Sequence, residues 1–124
     1  MTKTAYTQQI SDNSIQIMDN GEFLGAITFN SFDGNFFVNC PGLSTLFVKN
    51  TLAFRYNLAV EFQKQIKSVK DYSDTEGQTK KIAKMRETFL HFTEAFDSMS
   101  KYKEGNILET LEKLSRGELE YDDN

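Results

Sequence analysis

His91 and Cys40 carry the most reactive side chains of the sequence, and each is the only residue of its type. A thiolate nucleophile needs a neighbouring base, and a metal centre needs several His, Cys or carboxylate ligands at short spacing. No sequence feature brings His91 to Cys40. His91 sits beside Phe92 on a polar position of a long helical pattern and reads as a surface histidine. Cys40 precedes Pro41 at a strand end and reads as an inert, half-buried thiol. Glu118 and Glu120 are closely spaced carboxylates, but the polar tail around them offers nothing to desolvate or orient them. There is no GxxxxGK followed by Ser or Thr, and no GxGxxG, so neither familiar phosphate-binding loop is present. The expectation is a protein that is not an enzyme and uses no cofactor and no metal.

Binding chemistry is better represented. Residues 29–38 read FNSFDGNFFV, with Asp33-Gly34 as a turn between Phe-rich arms. Phe29 and Phe36 follow the alternation of strands that feed a core. Phe32 falls in the turn and Phe37 points the other way, so both need a cover, supplied either by the loop near Phe47 or by a partner. The GNFFV run is similar to the aromatic strand of RNA-recognition modules. It departs from that motif where Asp33, not a basic residue, precedes Gly34, and where the β-α-β order is missing. Lys64, Lys67, Lys70, Lys80, Lys81 and Lys84, with Arg86, form a basic stretch that could meet phosphates or an acidic protein. Asp71, Asp74, Glu76 and Glu87 are interleaved with it, which favours a solvated helix end. The candidate partner contacts are therefore Phe32, Phe37 and Phe47 together with these six lysines.

The elements that must position these residues follow from periodicity. Within 124 residues, enough for one domain, 11 Phe and 5 Tyr argue for a packed core. Residues 1–13 read as a loose start, 14–49 as a β-meander, 50–116 as the helical part and 117–124 as an acidic tail. Ile15 and Ile17 alternate with polar residues, and Asn20-Gly21 is a hairpin signal. The next strand places Phe23, Gly25, Ile27 and Phe29 on one face, with Leu24, Ala26 and Thr28 on the other. Phe36 to Cys40 is a third strand, and Leu46 to Val48 is either a short fourth strand or an early helical turn. Asn50 is a plausible N-cap for a helix with Leu58, Ala59, Phe62, Ile66 and Val69 in one stripe. Ile82, Met85, Phe89, Phe92, Phe96 and Met99 then recur at steps of 3, 4, 3, 4 and 3, a heptad seam. A short third helix carries Ile107, Leu108, Leu111 and Leu114 and stops at Arg116-Gly117. The expected fold is α+β: a three-stranded, or four-stranded, antiparallel meander packed on a helical hairpin with a short third helix.

The seam supports two uses. It closes the hairpin internally, or Phe89, Phe92, Phe96 and Met99 meet a second copy, and the width of the apolar stripe favours a homo-oligomer. Net charge is −4, distributed as −3 over residues 1–48, +4 over 49–103 and −5 over 104–124. That acidic total disfavours a general nucleic-acid binder. A lone cysteine, an N-terminus without a signal-type apolar run and no stretch long enough to span a bilayer point to a cytoplasmic chain with no membrane partner. In size and lack of reaction centres the chain resembles the small accessory proteins of phages and mobile elements. The functional expectation is a small binding protein, an inhibitor or adaptor, that acts by protein–protein interaction. The alternative is a nucleic-acid-associated regulator using the basic residues of 64–86.

Overall fold

The computed structural model describes residues 5–72, 75–102 and 107–118. Five strands come first: β1 Ala5–Ser11, β2 Ser14–Asp19, β3 Glu22–Asn30, β4 Asn35–Asn39 and β5 Leu46–Val48. Three helices follow: α1 Phe54–Tyr72, α2 Thr75–Tyr102 and α3 Ile107–Ser115. The strands form one antiparallel sheet in chain order. The α+β expectation holds, with five strands rather than three or four.

The extra strand is β1, where a loose start was expected over residues 1–13. Its inward positions Ala5, Thr7 and Gln9 are small or polar, so it shows no apolar alternation. Pairing with β2 holds it, in the register Thr7 with Ile17 and Gln9 with Ile15. Leu46–Val48 resolves as a strand, paired Phe36 to Val48 and Val38 to Leu46. The β2–β3 turn behaves as its Asn-Gly pair requires, with Asn20 at φ 53° and Gly21 at φ 80°.

A bulge overturns the strict alternation expected for β3. Ile17 pairs with Gly25 and Met18 with Phe23, so Leu24 is the extra residue. Leu24 and Gly25 are consequently both buried, and Phe23 is turned to the outer face. Gly25 has no Cβ for a structural reason: one placed there would come 2.8 Å from Cε2 of Phe92 and 2.9 Å from the Asn39 carbonyl oxygen.

The helices cover the face that presents Ile15, Ile17, Ile27, Phe36, Val38, Leu46 and Val48, all buried. α1 begins at Phe54 rather than at an Asn50 cap. Asn50 instead donates its backbone N–H to Asn35 Oδ1 at 3.2 Å, and Thr51 Oγ1 accepts from the Ala53 N–H at 3.1 Å. The buried stripe of α1 is Phe54, Leu58, Phe62 and Ile66, with Val69 packed at its edge; Ala59 is exposed, one position off the stripe.

The heptad seam is internal. Ile82, Met85, Phe89, Phe92, Phe96 and Met99 are all buried within one chain. Phe62 stacks on Phe89 at 4.0 Å and 7°, and Phe54 on Phe96 at 5.8 Å and 14°, which fixes α1 and α2 as antiparallel. Burying each such ring contributes roughly 1.5–3 kcal/mol, and the sheet supplies the width that a second copy was expected to provide. Phe89, Phe92, Phe96 and Met99 are thus core residues, and a contact between copies would have to use other surfaces. Arg55 clasps Asp97 across the two helices with two bonds of 2.9 and 2.8 Å.

α3 buries Ile107, Leu111 and Leu114 and stops where its sequence indicates. Gly117 takes φ 70°, its N–H reaches the Leu114 carbonyl at 3.1 Å, and the Glu118 N–H reaches the Lys113 carbonyl at 2.9 Å. That pair of bonds is a Schellman stop. Most of the expected acidic tail, residues 119–124, lies outside the described residues.

Candidate functional site

The turn between β3 and β4 is held by its own polar groups. Asn30 Oδ1 accepts from the Phe32 N–H at 3.1 Å, and Asp33 Oδ1 accepts from the Asn35 N–H at 3.0 Å. Gly34 supplies φ 77° at the tip. Phe32 stands out from this turn with 98% of its surface exposed. The loop between β5 and α1 is braced in the same manner, since the Asn57 side chain donates to Thr51 Oγ1 at 2.8 Å and to the Lys49 carbonyl at 3.3 Å. Leu52 projects from that loop, also 98% exposed. The Asn50–Asn35 bond ties the β5–α1 loop to the first residue of β4, so the two loops lie at the same end of the sheet.

Next to Leu52 lies a cleft of about 750 Å³ between the β5–α1 loop and α3. Phe36, Phe54 and Leu111 contribute to its lining, and Leu108 is half-exposed at its rim. The charges around it are paired with one another: Lys113 with Glu109 at 3.5 Å, and Arg116 with Glu112 at 2.8 Å and with Glu118. Two projecting apolar side chains beside an apolar-floored cleft suit the docking of a protein surface.

The outer face of the sheet, which none of the described helices covers, is a second surface. One cross-strand row is Tyr6, Met18 and Phe23. The central row is Gln8, Gln16, Ala26 and Asn39. A third row is Ser14, Thr28, Phe37 and Phe47, with Ser14 and Thr28 hydroxyls bonded at 2.8 Å. Phe37 meets Phe47 edge to face at 5.1 Å and 90°. The sequence-predicted cover for Phe37 is therefore Phe47, itself 60% exposed.

The five lysines whose side chains are described, Lys64, Lys67, Lys80, Lys81 and Lys84, do not join these aromatic surfaces. They belong to the helices, on the other side of the sheet from Phe37 and Phe47. Lys64 is paired with Glu61 at 3.0 Å. Lys81 lines a cleft with Ser44, Gln65 and Ser68, whereas Lys84 lines a separate one with Glu22, Glu87 and His91. Lys67 and Lys80 are exposed on α1 and α2, and the Lys70 side chain lies outside the described residues.

His91 is more engaged than a surface histidine. Its Nε2 is 2.9 Å from Asp19 Oδ2, which ties α2 to the end of β2. Cys40 is buried, and burial pushes its thiol up to about 12. Among the described residues no cluster of three His, Cys, Asp or Glu could hold a metal ion, and no helix is long and apolar enough to cross a membrane.

Leu52, Tyr6 and Phe23 are surface residues that sequence reasoning passes over. Leu52 carries one signal, a large apolar residue outside any periodic stripe. Phe23 carries none, because only the bulge at Leu24 turns it outward. Compared with protein-family models, curated proteins and solved structures, the chain matches none of them.

Proposed function

We propose that the chain is a non-enzymatic binding protein that acts as an inhibitor or adaptor by occupying a surface of another protein. The observation that carries this reading is the pair Phe32 and Leu52, each 98% exposed on internally hydrogen-bonded loops at the same end of the sheet, with an apolar-floored cleft beside Leu52. Large apolar side chains held in water on pre-ordered loops lose little freedom on binding and gain their burial from the partner. The test is affinity capture from an extract of the cells that make the protein, with wild type and a Phe32→Ser/Leu52→Ser double variant as parallel baits. The reading requires one stoichiometric partner on the wild type, and loss of it on a variant with unchanged melting temperature. Equal capture by both baits overturns it.

A second reading, a nucleic-acid-associated regulator, draws support from Lys64, Lys67, Lys80, Lys81 and Lys84 lying towards the junction of α1 and α2. It requires binding to DNA or RNA that weakens steeply with salt. Absence of binding at low salt removes it.

A further inference from the structure

We infer that the uncovered face of the sheet is an interface with a second copy of this chain, packed face to face across a two-fold axis. In a protein with 26% charged residues, none of the outward positions in the three cross-strand rows carries a carboxylate, an ammonium or a guanidinium group. A sheet face that stays in water ordinarily alternates with charged and polar residues. Here the two outer rows carry aromatic residues, Tyr6 and Phe23 in one and Phe37 and Phe47 in the β4–β5 half of the other, and the row between them carries the amides Gln8, Gln16 and Asn39. Loss of charge with gain of aromatic residues is the composition of an interface centre.

The absence of charge also selects the occupant. Each copy carries a net charge of −4, so two copies repel through most of their surface. On this face they meet without like charges in contact, and its row pattern is compatible with itself. An axis along the amide row sets the Tyr6–Met18–Phe23 row of one copy against the Ser14–Thr28–Phe37–Phe47 row of the other, with Met18 over Ser14 and Phe23 over Thr28. It also brings Gln16 opposite its own counterpart. Five strands give a face about 24 Å wide and about 20 Å long, so two facing footprints total roughly 1,000 Å² before side-chain relief is counted, the size a specific interface needs. Sheets packed in this way stand about 10 Å apart with interleaved side chains.

The test is sedimentation of the full chain, with Gln16→Lys and Gln16→Glu as variants. The wild type is expected to be dimeric at micromolar concentration, with an affinity that does not fall between about 50 mM and about 500 mM salt, because no ion pair crosses the interface and salt screens only the repulsion between the two acidic copies. Each variant alone is expected to be a folded monomer whose melting temperature does not depend on protein concentration, and an equimolar mixture is expected to recover the dimer. A wild-type monomer at about 100 µM, a Gln16→Lys variant that dimerises undiminished, or a mixture that stays monomeric overturns the inference. Loss of the Phe32–Leu52 partner contact leaves this result unchanged, because the two surfaces share no residue.

Discussion

Phe92 of α2 rests on the bare backbone of Gly25 in β3, so close that a Cβ would come within 2.8 Å of Cε2 and 2.9 Å of Cδ2. The ring is fully buried there, and the Asn39 carbonyl oxygen closes the other side at 2.9 Å. Gly25→Ala must displace either the ring or the β4 backbone, and overpacking of this kind costs about 1–3 kcal/mol. Urea unfolding should show that loss as a lower midpoint at unchanged slope. Adding Phe92→Leu should return part of it, because the smaller side chain vacates the space of the new methyl group.

The stacked pair Phe62 and Phe89 joins the two long helices at 4.0 Å. Phe89→Ala removes one ring and leaves a cavity, with an expected loss of about 3–5 kcal/mol. Calorimetry checks the magnitude. The oligomeric state of the folded fraction should not change, because Phe89 is buried inside one chain.

Cys40 gives a pH dependence of definite sign. Burial raises its folded pKa from 9.0 to about 12, whereas the unfolded thiol ionises near 9.0. The unfolded state therefore releases its proton first as pH rises. The Cys40 contribution is complete below pH 9.0 and falls by up to about 1.4 kcal/mol per pH unit on the way to 12. Cys40→Ala should remove that slope from the alkaline limb of the stability profile. In the native protein at pH 8, a thiol reagent should label Cys40 only at the rate at which the fold opens.

Phe32 is expected to behave in the opposite way to Phe89. Nearly all its surface is in water, so Phe32→Ser should change stability by less than about 0.5 kcal/mol. A melting curve superimposable on wild type checks this and establishes that any binding defect of the variant is local.

The parts of this fold that were legible in the sequence are those in which one period persists. The 3–4 spacing from Ile82 to Met99 marked the buried face of α2 without any knowledge of what covers it. The Asn20-Gly21 turn and the Gly117 stop were legible because few residues tolerate those backbone angles. β1 was hidden because its inward residues are Ala5, Thr7 and Gln9, and its evidence lies in β2 rather than in itself. The outward turn of Phe23 was hidden because a bulge breaks the period of two on which face assignment depends. Of the candidate contacts, Phe32 was legible from its place in a turn. Leu52, marked in the sequence only as a large apolar residue outside any stripe, joined Phe32 once the Asn50–Asn35 bond set its loop at the same end of the sheet.

The strictly sequential order of the strands has a consequence for synthesis. All five strands lie within residues 5–48, so the sheet can assemble before any helix has been made. Its apolar side then waits for Phe92, more than forty residues further along the chain. At ordinary translation rates that interval is on the order of 2–9 s. For that time the nascent chain exposes the part of the Ile, Val and Phe layer that α2 covers, with α1 roofing only the β5 side.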